Sequence, residues 1–296
     1  MSGSKAKMLI AGAVLALGAA GCSSAGTTQG GGNSPLHAVE TAYTTTLNAK
    51  TADVTFSESV HATSTSGSNE SETVTGSGQL DLTSNAFNLH VNAPSGGSDE
   101  VLETGGVLYI QVPAAQESSV PGNKPWESID LNQVDEAKLG KSFSQLSSLN
   151  SEDPTQALSN LSAVSDNVTA IGPATVAGVA TTEYKAEVDL AKVAAQAQTR
   201  EGAKAAGAIT QEQQALGTSP IPVSVWIDST GLVRQVSEQI PIPAASTGAS
   251  NGNGTATVTM SFSGFGTPVQ LAPPPAPQVA DVTAQAVQQA NATSPG

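Results

Sequence analysis

The chain has one cysteine, three histidines and two arginines in 296 residues, and aromatic side chains make up 3% of it. A lone cysteine excludes an intrachain disulfide framework and any cysteine-built zinc site. With Lys and Arg numbering 11 against 25 Asp and Glu, the formal charge is −14. Nucleic-acid binding needs a basic surface facing the phosphates, so that class of partner is excluded. No apolar run reaches the roughly 20 residues that span a bilayer. The longest, Met8 to Leu17, follows Lys5 and Lys7 and has the proportions of a signal peptide.

Gly18, Ala19, Ala20 and Gly21 then lead directly to the single cysteine, Cys22. This resembles the bacterial lipobox, with alanine in place of the commoner leucine three residues before the cysteine. The resemblance implies removal of residues 1–21 as a leader. Cys22 would become a diacylglyceryl, palmitate-bearing N-terminus held at the extracytoplasmic face of the cell membrane. One acyl chain binds membranes marginally, whereas two hold stably. Loss of Lys5 and Lys7 takes the mature charge from −14 to −16. A body so acidic is repelled by anionic lipid, so the acyl chains must do the anchoring. Residues 22–35, with Gly30-Gly31-Gly32, read as a flexible tether.

Beyond the tether, Leu36, Val39, Tyr43 and Leu47 form one helical stripe. Period-two segments follow, which describe strands with one buried and one wet face. They run through Val54, Phe56, Val60 and Ala62, then Leu80 and Leu82, then Phe87, Leu89 and Val91, then Val107 to Val112. The middle reads as helical. Val134, Phe143, Leu146 and Leu149 mark one segment, and Asp153-Pro154 opens another carrying Leu158, Leu161 and Val164. Strands return at Val168–Ile171 and Thr181–Val188. Residues 190–216 read as a surface helix or helical pair. Ile221–Asp228 and Leu232–Ile240 form a hairpin through Ser229-Thr230-Gly231, and Ala256, Val258, Met260 and Phe262 make a last strand. The prolines 273–275 are expected to end the ordered part, with 284–296 a frayed tail. Residues 36–283 thus read as a single α+β domain.

A sheet with one apolar face must cover it, and the covers available are the N-terminal and central helices. Tight packing gives a plain core, and a gap gives an apolar cavity; the pattern admits both. Gly106-Val107-Leu108-Tyr109 leading to Lys124-Pro125-Trp126, the stretch Val168 to Leu190, and Val223 to Val236 together resemble the LppX/LprAFG family of actinobacterial lipoproteins. That resemblance implies a LolA-like fold, a curved antiparallel half-barrel sheet with helices packed on the concave face. It also implies a carrier that binds or shuttles an acylated lipid or glycolipid across the envelope, without catalytic residues.

On that fold the lipid-cavity candidates are Phe56, Val60, Leu80, Leu82, Phe87, Leu89, Val91, Leu146, Leu158, Leu161, Tyr184, Val188, Val258, Met260 and Phe262. Plain core packing is the competing role for each. The expected partners are the membrane through Cys22, a lipid or glycolipid ligand and an envelope transport protein. The alternative is an anchored, non-catalytic interaction protein with a filled core, and an envelope hydrolase stands third. His61 and His90 fall on the polar side of their strands, and no spacing supplies a metal set, a phosphate loop or a nucleophile elbow. No cofactor, metal or catalytic residue is expected.

Overall fold

The computed structural model describes residues 34–63, 69–92, 98–131, 133, 167–188, 191, 195, 220–242 and 254–293. Helix α1 (Pro35–Asn48) begins where Ser34 accepts a hydrogen bond from the His37 backbone N–H at 3.2 Å and Pro35 takes the first turn. Serine supplies the acceptor, and proline loses no hydrogen bond there. The helix starts at the last residue of the expected tether, one residue ahead of the apolar stripe that begins at Leu36. Val39, Ala42 and Thr46 are its buried residues, with Leu36, Tyr43 and Leu47 packed half-buried beside them.

Twelve strands form one open sheet in the order β12-β6-β5-β4-β3-β2-β1-β11-β10-β9-β8-β7. In chain order they are β1 (Thr51–Thr63), β2 (Asn69–Asp81), β3 (Ala86–Asn92), β4 (Ser98–Thr104), β5 (Val107–Gln111) and β6 (Trp126–Asp130). Then come β7 (Thr169–Val176), β8 (Val179–Val188), β9 (Ile221–Asp228), β10 (Val233–Ile242), β11 (Gly254–Ser263) and β12 (Val279–Asp281). All neighbours are antiparallel except β12 and β6. Two meanders, β1 to β6 and β7 to β10, are joined at the centre by β11, which pairs with both β1 and β10.

The hairpin of β9 and β10 falls where the alternation and Ser229-Thr230-Gly231 place it. β4, β6, β12 and the first half of β2 are strands that the apolar pattern does not mark. The C-terminal expectation is corrected. After the prolines the chain forms a 3-10 turn (Ala276–Gln278), then β12, then helix α2 (Thr283–Thr293) in place of a frayed tail. The restart has a local cause. Asp281 accepts from the Thr283 N–H at 2.9 Å, while Thr283 Oγ1 accepts from the Asp130 N–H at 2.9 Å, fixing the helix start to β6. Of the two described helices, α1 packs on the sheet's inner face, chiefly against β7, β9 and β10, and α2 packs at the edge beside β6. The helices read from residues 134–166 and 190–216 lie outside the described residues, as do the leader, Cys22 and most of the tether.

Candidate functional site

Side-chain alternation gives the sheet an inner and an outer face. One buried cluster runs across the inner face from Val101 and Leu108 through β3, β2, β1, β11, β10 and β9 to Val188, and takes in Val39 and Ala42 of α1. Of the sequence candidates, Phe56, Leu80, Leu82, Phe87, Leu89, Val91, Val188, Val258, Met260 and Phe262 are buried in it, and Val60 and Tyr184 pack against it half-buried. The structure thus gathers twelve candidates on one surface. Leu146, Leu158 and Leu161 lie outside the described residues. Val54, Val74, Val225, Val236 and Ile240 belong to the same cluster and are not among the cavity candidates.

The register explains how the inner face is made smooth. Gly76 lies between Phe56 and Val91, and Gly78 between Val54 and Leu89. A Cβ on Gly76 would sit 2.2 Å from Phe56 Cε1, and one on Gly78 would sit 2.8 Å from Leu89 Cδ2 and 2.0 Å from the Asn88 carbonyl oxygen. The side chains of the flanking strands therefore lie across bare backbone, which is the close approach that glycine permits within a strand.

One row of this face breaks the apolar pattern. Reading from β2 to β8 it runs Val74, Glu58, Val258, Glu238, Val223, Ala186. Glu58 is 1% exposed, and its Oε2 has no hydrogen-bond partner. Burial pushes its carboxyl up to about 7, because a low-dielectric surrounding disfavours the ionised form. Glu58 is not among the sequence candidates. The signal was there, since position 58 falls between Phe56 and Val60 in the inward alternation.

Where α1 lies on the sheet, polar groups are tied in. Thr46 Oγ1 accepts from the Val233 N–H at 2.9 Å, joining the helix to the start of β10. Asp228 Oδ1 accepts from the N–H and hydroxyl of Thr230 at 2.8 and 2.6 Å and from the Leu232 N–H at 3.1 Å; Oδ2 accepts from Arg234 Nε at 2.6 Å. Burial works to raise the Asp228 carboxyl, but the bonds from Thr230, Arg234 and Leu232 outweigh it and hold it below the usual range. The Arg234 guanidinium also lies 5.0 Å from the Phe265 ring centre.

His61 and His90 are exposed on their strands, as their position in the alternation predicts. Trp126 is buried within β6, paired to Gln111 of β5 and Val279 of β12, on the alternation opposite Ile129 and outside the inner-face cluster. Among the described residues no group of His, Cys, Asp and Glu is placed to hold a metal, and no helix is long and apolar enough to cross a membrane. A groove of about 460 Å³ runs over the outer side of β8, β9 and β10, lined by polar side chains that include Lys185, Glu187, Ser224 and Gln239. It contains none of the sequence candidates.

This architecture, an open antiparallel sheet with a helix on its inner face, defines the class as α+β. No protein-family model and no curated protein matches the chain. Among solved structures, the chain is similar to the lipoprotein LppX of Mycobacterium tuberculosis at 13% identity and a TM-score of 0.43, over 80% of this chain and 98% of that one. It is similar to LprF from Mycobacterium bovis at 15% identity and a TM-score of 0.38, over 81% and 96%. A LolA superfamily protein from Nitrosomonas europaea aligns at 8% identity and a TM-score of 0.26, over 81% and 94%.

Proposed function

We propose that the chain is an envelope lipoprotein of the LppX/LprAFG kind, which binds or shuttles an acylated lipid or glycolipid held against the inner face of its sheet. The observation that supports this most directly is the extent of that face. Apolar side chains continue from β5 to β8, whereas α1 packs chiefly on β7, β9 and β10. The work is burial and not bond-making. Each Å² of acyl surface taken from water contributes roughly 25 cal/mol, so one long chain laid along the strands is well held during transit. Anchoring through acylated Cys22, with residues 1–21 removed and the tether leading to the Ser34 cap, keeps the body at the extracytoplasmic face of the membrane.

The test is lipid analysis of the mature protein released from membranes of an envelope-competent bacterial host. Native mass spectrometry is expected to find a stoichiometric lipid beyond the acyl groups on Cys22, and Leu89→Trp is expected to lower its occupancy while the fold persists. A protein that stays lipid-free after lipid is offered overturns the carrier and leaves the interaction protein with a filled core. The anchor is tested separately: Cys22→Ala is expected to move the protein to the soluble fraction, and its retention in membranes overturns that part.

A further inference from the structure

Glu58 is the least expected side chain on the inner face. Phe56 and Val60 flank it on β1, Val74 faces it from β2, and Val258 faces it from β11. A valine or leucine there would be buried without penalty. A carboxyl with an unpartnered oxygen is instead costly, because it gives up water and receives nothing in return. That oxygen is an acceptor with no hydrogen-bond partner, on a side chain that is 1% exposed.

The surroundings say which chemistry would use it. On the same face the neighbouring strands present Glu72 (exposed, β2), Glu238 (half-buried, β10) and, further out, Asp99 and Glu103 (both half-buried, β4); β11 presents no charge and neither does β3. Among the described residues no basic side chain is placed beside Glu58. Lys185 is exposed and lies on the outer alternation of β8, and Arg234 is engaged by Asp228. An anionic headgroup placed over this row would meet carboxyls of its own sign. A hydrogen-bond donor would meet an acceptor.

We propose that Glu58 is a ligand-recognition residue, accepting a hydrogen bond from a hydroxyl or protonated amine that the lipid carries among its apolar chains. This rests on the carrier reading above and adds a preference to it: donor-bearing lipids over fully esterified or anionic ones. The pH behaviour agrees with that role. A carboxyl titrating near 7 accepts from an ammonium when ionised and exchanges hydrogen bonds with a hydroxyl in either state.

The experiment uses the full chain stripped of lipid and three probes with identical oleoyl chains: 1,2-dioleoylglycerol, its 3-acetyl ester, and the analogue with a primary amine at position 3. Wild type is expected to bind the free-hydroxyl probe, the amine probe or both about tenfold tighter than the ester, the scale of a hydrogen bond to a charged group. Glu58→Leu is expected to bind the ester at least as well as wild type and to lose the preference; that ester binding also shows that the variant is folded. Should leucine prevent folding, Glu58→Val, which repeats the residue type facing it on both sides, supplies the same comparison. Glu58→Gln distinguishes the two donors, because it keeps a preference for a hydroxyl and abolishes one for an amine. Tight and equal binding of all three probes by wild type overturns the role of Glu58 and leaves the carrier intact. Binding of none overturns both.

Discussion

The β9–β10 end of the inner face and its centre on β1, β2 and β11 obey the same alternation but are completed differently. At the hairpin end, Asp228 uses both carboxylate oxygens, Thr46 spans from helix to strand, and α1 lies over the apolar side chains. At the centre, backbone is left bare at Gly76 and Gly78, and Glu58 is buried with an oxygen to spare. The first is how a scaffold is built, with its polar groups bonded to the chain itself. The second packs neighbouring side chains over glycine backbone and leaves one buried acceptor unmatched, which is where the proposal above places a donor from the lipid.

The sharpest way to break the central region is to fill the bare backbone. Gly78→Ala sets a Cβ against the Asn88 carbonyl oxygen, an atom that cannot swing aside. It is expected to cost about 3 kcal/mol in urea unfolding, the upper range of overpacking. The next effect has the opposite sign. Glu58 titrates near 7 in the folded chain against an ordinary 4.5, so its contribution to stability is fully present below pH 4.5 and is lost as pH rises through 7. Glu58→Gln is therefore expected to be more stable than wild type above pH 7, by on the order of 3 kcal/mol, with the two curves meeting below pH 4.5. Denaturation series at pH 4 and pH 8 check it.

At the hairpin end, Asp228→Ala is expected to cost about 2 kcal/mol at pH 7, leaving several donors without an acceptor. Because the folded carboxyl titrates below its usual range, its contribution is present at neutral pH. It fades as acid takes the pH down through that lowered value, the reverse of the Glu58 trend. Smallest is Thr46→Val. It keeps the shape but leaves the Val233 N–H unpaired, for about 1 kcal/mol measured by thermal unfolding.

The same contrast marks what was legible in the sequence. β9, β10 and β11 declare themselves because valine, isoleucine and methionine fill nearly every inward position and Gly231 (φ +83°) closes the turn. β2 is muted for a reason that the structure supplies. Two of its inward positions are glycine because neighbours occupy that space, so alternation has nothing to count. β4 was hidden by Asp99-Glu100, which look like solvated loop charges, although Asn88 Nδ2 donates to Glu100 Oε1 at 2.8 Å across the sheet. Glu58 is hard to see in the sequence because a polar residue among apolar ones reads as an interruption, although the alternation places it inward. The end of the chain is not legible locally: three successive prolines signal a stop, while the instructions to resume, at Asp281 and Thr283, act through contacts with β6 that no local pattern contains.

Those prolines have a mechanical consequence. Gly264–Gln278 carries the chain from β11, at the centre of the sheet, to β12 at its edge, past the six strands between them. It is secured near its start, where Thr51 Oγ1 donates to the Thr267 carbonyl at 2.7 Å, and near its finish, where Lys124 Nζ donates to the Pro277 carbonyl. Fifteen residues drawn out at the ~3.1 Å rise of polyproline reach about 46 Å. Seven strand spacings of ~4.8 Å need about 34 Å. The segment is thus a tie-bar with limited slack. If the sheet widens to admit a bulky guest, tension falls on the three-residue join of β12 to β6, and the C-terminal helix parts from the edge before any central strand gives way.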